Sequence, residues 1–487
     1  MSNEVIKIAV VGMGVAGISV LREWTKEKAN NPLIELTLFG DEKTFGTGAP
    51  YQKDDENLLM NVSADSTTII PENKNDFVEW LENVKGENNP SLKYYSRNIV
   101  GTYLKEHMDL WIKKSKARVI KEKVKTVRVL ENKQYEVTSS SIKEVFDVVH
   151  LCLGHMPYSD HYNLIDHPNF IVNPFPLKEN MPLIPKNSKV AVLGMGLTSI
   201  DILRYIHFYR QDLNVIFFSN TGKFKTINYK SKTIDYICFT KENIDKTKNE
   251  NNGFIPLDTY IDWFKKEIKN QKISLKENWI NEPFGSKENI KKLLAGSYKT
   301  TISQSILIGI GSLLPDLWMS LSEIDKETFI NKYHTKWDKL RSPFPAESGE
   351  ILYSDWANNK IQVFGGLTDI IPNKNSFKLI LKDQDPKTAE YILNAVGPGK
   401  DVSPNNNRTP LLSQLVNERI LQIEKFGGVQ VTLPDLSAVS QRYGVLKTLK
   451  VHGQIISGIQ FGNNSIDIIS QSARTSVKDI AKKFENY

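Results

Sequence analysis

The sequence predicts an α/β fold with two parallel-sheet domains, because one strand–turn–helix–strand pattern occurs twice in its 487 residues. In each copy an apolar strand enters a turn of the form Gly-x-Gly-x-x-Gly or Gly-x-Gly-x-x-Ser, and a helical segment follows. This pattern is typical of Rossmann-like dinucleotide-binding domains. Two further apolar strands end in glycine, at Gly154 and at Gly397. The wide separation of the copies excludes a short-period repeat protein.

The first copy lies at the start of the chain. Ile6–Val11 is a β-branched apolar run, which is typical of a buried parallel strand. Ile18–Lys28 carries apolar residues at helical spacing, and Ile34–Phe39 is the next strand. The segment therefore has the length of a βαβ unit.

The turn of the first copy contains the three glycines that suit a dinucleotide. Gly12 permits the sharp change of direction, Gly14 lets a pyrophosphate approach the backbone, and Gly17 allows helix and strand to pack closely. The helix N-terminus then presents unpaired N–H groups to the phosphates. The alternative is a glycine turn with a packing role only.

A ribose-binding acid is expected at the end of the second strand, about 20 residues after the glycines. The residue after Phe39 is Gly40, and Asp41 and Glu42 follow. Either acid could contact the ribose, and we select Asp41 as the candidate. The alternative for both is an exposed turn.

The second copy begins with Lys189–Leu193 and continues into Gly194-x-Gly196-x-x-Ser199, where the small Ser199 replaces the third glycine. Its helix runs to about Tyr209, and Val215–Phe218 is the next strand. That strand ends in Ser219-Asn220-Thr221-Gly222-Lys223, with no acid to repel a 2′-phosphate. Lys223 and Lys225 favour NADPH over NADH, unless both are ordinary surface lysines.

Two such turns in one chain predict two nucleotides, FAD on the first and NAD(P)H on the second. We predict a discontinuous FAD-binding domain, 1–185 and 397–487, with an NAD(P)H-binding domain nested at 186–396. The proline-rich stretch from Pro157 to Pro185 is interpreted as the crossover between them. A partly helical insertion is expected at about 224–350, with an amphipathic helix over Pro256–Ile268.

Composition excludes several classes of protein. The chain is 40% hydrophobic and 24% charged, which excludes wholesale disorder, and its net charge of +7 is too small to indicate nucleic-acid binding. It has two cysteines and no C-x-x-C pair, so a disulfide framework, a zinc ribbon and a dithiol centre are disfavoured. We expect no metal site, no membrane segment and no secretory signal, hence a cytoplasmic protein; a homo-oligomer remains open.

Four passages resemble flavoproteins related to the flavin-dependent N-hydroxylating monooxygenases, the lysine and ornithine hydroxylases. They are the first glycine turn, the run Phe45–Tyr51 followed by Leu58–Val62, the run Asp147–Pro157, and the second turn with Asp201. The resemblance covers about 5–220 and 385–480 and leaves the middle of the chain uncovered. The FxGxxxHxxxY signature of Baeyer–Villiger monooxygenases is absent from the sequence.

The resemblance implies FAD and NADPH as cofactors and adds residues that line them. The cofactor-binding candidates are Gly12, Gly14, Gly17, Asp41, Gly46, Gly48, Tyr51, Met60, Asn61, Gly154, Gly194, Gly196, Ser199, Lys223, Gly397, Gly462 and Asn463. Gly462 and Asn463 lie in a segment that closes over the flavin in such proteins.

If the resemblance holds, the reaction is N-hydroxylation of a small amine or amino acid with O2, through a C4a-(hydro)peroxide of the flavin. Asn61 is a candidate contact near the flavin ring. His155 follows a glycine-ended strand near the cofactor, or is structural or exposed. Arg341 could clamp a substrate carboxylate, or belong to a helix with a surface ion pair.

Two other functions remain open. The chain could be a flavin oxidoreductase that passes electrons from NAD(P)H to another acceptor without inserting oxygen. It could also be a non-catalytic nucleotide-bound redox sensor. The sequence has neither a G-x-S-x-G elbow nor a P-loop, so a hydrolase or a kinase-type NTPase is disfavoured.

Overall fold

The computed structural model describes residues 5–228, 232–273, 282–403 and 408–484. Its internal contacts divide the chain into two compact units. Unit 1 comprises Met1–Lys53, Ser63–Pro157 and Pro398–Tyr487, and unit 2 comprises Asp54–Val62 and Tyr158–Gly397. Within the predicted insertion, 229–231 and 274–281 lie outside the described residues.

The described strands and α-helices are numbered in chain order. The strands are β1 (Ile6–Val11), β2 (Ile34–Phe39), β3 (Arg118–Ile120), β4 (Thr126–Val129), β5 (Tyr135–Thr138), β6 (Lys143–Phe146), β7 (Val148–Leu151), β8 (Phe170–Ile171), β9 (Lys189–Leu193), β10 (Asn214–Phe218), β11 (Ile227–Asn228), β12 (Phe344–Pro345), β13 (Ile361–Phe364), β14 (Leu367–Asn373), β15 (Ser376–Leu381), β16 (Lys387–Ala389), β17 (Tyr391–Asn394), β18 (Ser437–Ser440) and β19 (Gly444–Val451). The helices are α1 (Val15–Asn30), α2 (Asp76–Lys85), α3 (Arg97–Ser115), α4 (Leu177–Asn180), α5 (Leu197–Tyr209), α6 (Lys241–Glu250), α7 (Leu257–Asn270), α8 (Lys287–Leu294), α9 (Tyr298–Gly309), α10 (Leu314–Met319), α11 (Glu323–Thr328), α12 (His334–Arg341), α13 (Ala346–Ala357), α14 (Pro410–Asn417) and α15 (Ile466–Ala481).

Unit 1 is organised around a six-stranded sheet in the order β18-β19-β7-β1-β2-β3. All of its pairings are parallel except that of β18 with β19. The β-branched residues of β1 are almost wholly buried, as expected of a central parallel strand covered on both faces. Helices α1 and α15 pack against each other in this unit.

The predicted strand over Phe146–Gly154 is divided in the structure. Phe146 ends β6, which belongs to a separate antiparallel sheet of β4, β5 and β6. Strand β7 begins at Val148 and pairs with β1. Asp147, between them, accepts a hydrogen bond from the Lys7 backbone N–H at 2.8 Å, which fixes the change from one sheet to the other.

Unit 2 is organised around a five-stranded parallel sheet in the order β13-β10-β9-β17-β8. The second copy of the sequence pattern forms β9, α5 and β10, as predicted. An antiparallel sheet of β14, β15 and β16 and a two-stranded pair of β11 and β12 complete the unit.

The domain boundaries differ from those expected from the sequence. The stretch from Tyr158 to Pro185, which the sequence placed in the first predicted domain, lies in unit 2, because its strand β8 pairs with β17. The short segment Asp54–Val62 also lies in unit 2. There the Asp54 carboxylate accepts the backbone N–H of Leu177 and Lys178, and Leu58 is part of the apolar core.

The described part of the insertion is largely helical, from α6 to α12, around an apolar cluster of its own. The predicted amphipathic helix is α7. Its Glu267 is fully buried and accepts the backbone N–H groups of Ile237, Cys238 and Phe239 at 3.0, 2.6 and 3.1 Å.

No single helix in the described ranges is long and apolar enough to cross a membrane. The pair Tyr298–Gly309 and Gly311–Met319, bent by 42°, passes that test of length and composition only when the two are joined.

Candidate functional site

The first glycine turn leaves no room for side chains at its first and third positions. Gly12 has a φ of +100°, and a Cβ there would lie 2.1 Å from the Cys152 carbonyl oxygen on the neighbouring strand. A Cβ on Gly17 would lie 1.9 Å from the Gly12 carbonyl oxygen. Gly14 precedes α1, whose N-terminus has no side-chain cap. The backbone N–H groups of the first turn of α1 are therefore available to an anion.

The predicted Gly-x-Gly motif at Gly46 and Gly48 lies directly against this turn. The Gly46 N–H donates to the Met13 carbonyl oxygen at 2.8 Å. A Cβ on Gly14 would lie 3.2 Å from the Gly48 Cα, so the two backbones almost touch. Both Gly46 and Gly48 have positive φ, which only glycine adopts at low cost. The structure thus brings together two motifs that the sequence separates by about thirty residues.

The C-terminal segment also reaches the N-terminal end of α1. A Cβ on Gly453, just after β19, would lie 3.8 Å from the Ala16 side chain. Asn463 is buried, and its amide donates to the Gly453 carbonyl oxygen at 2.7 Å. The Asn463 side chain is thus engaged in shaping this loop, and Gly462 precedes it with a φ of +79°.

Asp41 follows β2 and is already engaged by two groups of the protein. One of its oxygens accepts the Lys43 backbone N–H at 3.1 Å, and the other pairs with Lys123 at 2.7 Å. Lys123 holds the pKa of Asp41 below its ordinary value. The residue that stands at the expected acid position is Gly40, because a Cβ there would lie 2.9 Å from the Phe45 ring. The assignment of Asp41 to a ribose stays a prediction.

Three further candidates, Gly154, His155 and Tyr51, also lie in unit 1. Gly154 has a φ of +70° and open space around it, and His155 after it is exposed. Desolvation by neighbouring residues lowers the pKa of His155, which favours the neutral ring, although the side chain keeps contact with solvent. Burial of the Tyr51 hydroxyl raises its pKa to about 12. Both pKa shifts therefore favour the uncharged form of these two side chains at neutral pH.

A buried chain of hydrogen bonds links α1, the helix that follows the first turn, to β7 and to the segment after β19. Trp24 of α1 donates its Nε1–H to His150 Nε2 at 2.9 Å, and His150 Nδ1 lies 2.9 Å from His452 Nε2. Because indole can only donate, His150 accepts at Nε2 and donates from Nδ1, which leaves His452 protonated on Nδ1. Both histidines are at most 1% exposed, and burial lowers both pKa values, that of His452 to about 3.

The second glycine turn is more open than the first. Gly194 has a φ of +101°, and a Cβ there would lie 2.6 Å from the Ala395 carbonyl oxygen. Gly196, by contrast, has no atom within 4 Å of an added Cβ. It precedes α5, which also lacks a side-chain cap. Open space in front of an uncapped helix N-terminus fits a phosphate.

Ser199 and Gly397 complete the second turn. Ser199 is fully buried, and its hydroxyl donates to the Gly196 carbonyl oxygen at 2.6 Å. Gly397 lies beyond β17 with a φ of +89° and open space around it. Since β17 and β9 are parallel neighbours, Gly397 and Gly194 follow the carboxyl ends of adjacent strands.

Lys223 and Lys225 lie beyond the end of β10, but only one of the two charges is available. Lys225 donates to both oxygens of Asp338 at 2.9 and 2.8 Å, so a carboxylate already neutralises it. Lys223 is half-buried and forms no ion pair within the described residues. The sequence could not reveal this difference, because Asp338 is more than a hundred residues away.

Met60 and Asn61 belong to unit 2, whereas the first turn belongs to unit 1. Met60 is buried and Asn61 half-buried. Arg204 of α5, which is 2% exposed, fixes this segment by donating from Nε to the Asn57 carbonyl oxygen at 2.6 Å. Its other nitrogens bind Ser348 and Glu347 at 3.2 and 2.7 Å.

Arg341 lies in the helical insertion on α12. Its guanidinium lies 5.5 Å from the centre of the Trp337 ring, and its buried Nε has no hydrogen-bond partner in the part of the chain that the structure describes. The surface ion pair considered as an alternative belongs to Asp338 and Lys225. An unpartnered guanidinium donor on an aromatic face is suited to binding a carboxylate.

Sequence reasoning missed Gly453 and Arg204. Gly453 borders the first turn only because β19 pairs with β7, and that pairing leaves no local signal in the sequence. Arg204 sits in the apolar face of a predicted helix, where a charged residue could have been noticed as unusual.

Residues 9–156 match the model of a family described as FAD-NAD(P)-binding. This segment is similar to FAD-NAD(P)-binding domains. The crowded glycine turn, the Gly46–Gly48 loop and the uncapped helix α1 all lie within it, so the residues present fit a bound dinucleotide. No curated protein matches the chain.

Solved structures share the fold over nearly the whole chain. The reduced form of ornithine hydroxylase from Pseudomonas aeruginosa aligns with a TM-score of 0.64 at 11% identity, covering 99% of this chain and 100% of that one. Ornithine N-hydroxylase from Kutzneria sp. 744 aligns with a TM-score of 0.56 at 13% identity, with coverages of 99% and 100%. Bacillithiol disulfide reductase from Staphylococcus aureus gives 0.52 at 11%, with coverages of 99% and 99%. At these identities the similarity shows the mixed α/β fold alone.

Proposed function

We propose that the chain is a flavin-dependent monooxygenase that uses NADPH and O2 to N-hydroxylate a small amine or amino acid. The observation that carries the proposal is the pair of helix N-termini without side-chain caps, each of which directly follows a glycine turn. The shared fold with two ornithine hydroxylases supports this choice of reaction.

FAD, when bound, would supply the redox chemistry, accepting hydride from NADPH and reacting with O2. The contribution of the chain is to bind and orient. The N-terminus of α1, together with Gly14 and Gly48, would hold the flavin pyrophosphate, and the N-terminus of α5 that of NADPH. Burial raises the pKa of Tyr51 to about 12 and desolvation lowers that of His155, and both shifts favour the uncharged rings.

Arg341 supports an amino acid over a simple amine as substrate. Its buried Nε lacks a partner among the described residues, and leaving such a donor unpaired is costly, so a substrate carboxylate would gain from binding there. We expect Arg341→Gln to raise KM for basic amino acids at least tenfold while leaving KM for the corresponding diamine within about twofold. Steady-state NADPH oxidation with ornithine against putrescine, and lysine against cadaverine, measures this. Equal changes in KM for the amino acid and for the diamine would contradict the role of Arg341 in binding a substrate carboxylate.

The function itself is tested with purified, FAD-loaded protein. NADPH should bleach the flavin anaerobically, and in air a panel of amines and amino acids should be scored for O2 uptake and for a product heavier by one oxygen. Reduced flavin that passes its electrons to another acceptor in preference to O2, with no product heavier by one oxygen, would contradict the hydroxylase; peroxide release alone does not separate the two candidates.

The second candidate is a flavin oxidoreductase that passes electrons to another acceptor. The fold shared with bacillithiol disulfide reductase favours it specifically. Both cysteines of this chain are buried, so a disulfide acceptor would have to be supplied by the substrate. Bleaching by NADPH with reoxidation by a low-molecular-weight disulfide faster than by O2 would support this candidate instead.

A further inference from the structure

The loop after β10 is enclosed by residues of the helical insertion. The Phe224 N–H donates to the Gly285 carbonyl oxygen at 3.0 Å, and the Thr226 N–H donates to the Lys339 carbonyl oxygen at 3.3 Å. The Phe344 N–H donates to the Thr226 carbonyl oxygen at 3.0 Å. The bond between Thr226 and Lys339 fixes α12 beside the segment that follows β10. A dinucleotide-binding fold places the adenosine ribose at the carboxyl end of such a strand.

In this arrangement Lys339 of α12 lies next to Lys223. Its Nζ lies 3.4 Å from the Lys223 carbonyl oxygen and 3.4 Å from the Phe284 carbonyl oxygen. It is half-buried and forms no ion pair within the described ranges. The charged groups that act on it are Lys223, Lys225 and Asp338. Since Asp338 neutralises Lys225, two positive charges remain, those of Lys223 and Lys339.

We propose that Lys339, from the insertion, and Lys223, from the strand end, together bind the 2′-phosphate of NADP(H). A phosphate monoester carries close to two negative charges at pH 7. This charge matches the two positive charges of Lys223 and Lys339. Strand β10 ends in Ser219, Asn220 and Thr221, so no carboxylate there opposes the phosphate. The inference rests on the proposed use of NADPH and assigns its selectivity to one residue outside the nucleotide-binding fold.

The protonation of Lys339 provides a second signature. Burial, with the nearby Lys223 and Lys225, lowers the pKa of Lys339 to about 8, although Asp338 opposes this shift. An arriving phosphate dianion stabilises the charged form and raises that pKa again. Binding of the phosphate at pH 8 should therefore take up part of a proton.

The test compares 2′,5′-ADP with 5′-AMP by calorimetry on the full-length, FAD-loaded protein. Lys339→Gln should lower the affinity for 2′,5′-ADP at least about tenfold and change the affinity for 5′-AMP by no more than about twofold, because only the first probe carries the 2′-phosphate. Lys339→Arg should restore most of the preference. Lys291→Gln, which removes an exposed charge on α8, should change neither affinity.

Titrations at pH 8 in two buffers of different ionisation enthalpy measure the proton uptake. Wild-type protein should take up a fraction of a proton with 2′,5′-ADP and less with 5′-AMP. Equal weakening of both probes by Lys339→Gln, or no weakening of either, would overturn the proposal. If that variant failed to fold, absence of proton uptake by the wild type would overturn it. Neither probe reacts with flavin or O2, so failure to hydroxylate an amine would leave this test intact.

Discussion

The two glycine turns have nearly the same sequence but different surroundings. In the first, Gly14 lies against Gly48, and a Cβ on Gly17 would lie 1.9 Å from the Gly12 carbonyl oxygen. In the second, an added Cβ on Gly196 would meet no atom within 4 Å, and the third position holds Ser199. The first turn is enclosed by a second glycine loop, whereas the second is open.

This difference shows what each glycine does. The first glycine is required by positive φ and by the neighbouring carbonyl in both turns. The third depends on how closely helix and strand approach, and Ser199 uses the available space to donate a hydrogen bond to the Gly196 carbonyl oxygen. The second glycine matters for folding in the first turn, where Gly14 lies against Gly48. In the second turn, the corresponding Gly196 leaves space for a ligand.

Exchanging the third residues should give the largest effect. Gly17→Ser places a side chain against the Gly12 carbonyl oxygen, so we expect unit 1 to lose on the order of 3 kcal/mol of unfolding free energy and its flavin. Urea unfolding and FAD content measure this. Retention of flavin with unchanged stability would show that the first turn is not as crowded as its geometry indicates.

Acid should weaken the support of the first turn. Because burial lowers the folded-state pKa of His452 to about 3, the unfolded chain binds more protons between pH 6.5 and 3, and stability falls as the pH falls. His452 alone should cost about 2 kcal/mol between pH 6.5 and 5. The pKa of His150 is also lowered by burial, which adds to the effect, and Lys450 is the nearby charge on β19.

Urea unfolding at the two pH values measures this loss, with His452→Gln as the matched variant. The variant keeps an acceptor for His150 and should lose less stability in acid than the wild type. An identical pH dependence of the two proteins would contradict the role of the buried pair.

In the open second turn, Gly196→Ala should leave folding intact and affect only ligand binding. Its Cβ meets no protein atom within 4 Å and occupies the space in front of α5. We expect NADP⁺ affinity to fall roughly tenfold, with FAD content and melting temperature unchanged. Calorimetry with NADP⁺ checks this. A lowered melting temperature would show that this space is filled by protein.

The smallest expected effect is that of Ser199→Ala. It removes one buried hydrogen bond and leaves the Gly196 carbonyl oxygen without that donor, which should cost about 1 kcal/mol. Denaturant unfolding resolves such a change. A loss as large as that of Gly17→Ser would remove the distinction between the two turns.

Local sequence was sufficient to predict both turns, because a Gly-x-Gly pattern directly after an apolar strand is a local signal, and Gly12 and Gly194 both adopt the positive φ that glycine favours. It also predicted that the two motifs carry α/β units. It could not predict that Asp54–Val62 belongs to unit 2, because Leu58 is buried by residues more than a hundred positions away. Nor could it separate Lys223 from Lys225, since the distinction depends on Asp338 of the insertion.

We propose that the two turns hold different nucleotides and that the crowded first turn holds the flavin. The most direct measurement is the absorbance spectrum of purified protein before and after anaerobic addition of NADPH, for wild type, Gly17→Ser and Gly196→Ala. The wild type should contain equimolar FAD that NADPH bleaches, Gly17→Ser should be colourless, and Gly196→Ala should be yellow but bleached only at higher NADPH concentration. A colourless wild type that cannot be loaded with FAD, or a Gly196→Ala variant that loses its flavin, would contradict the account.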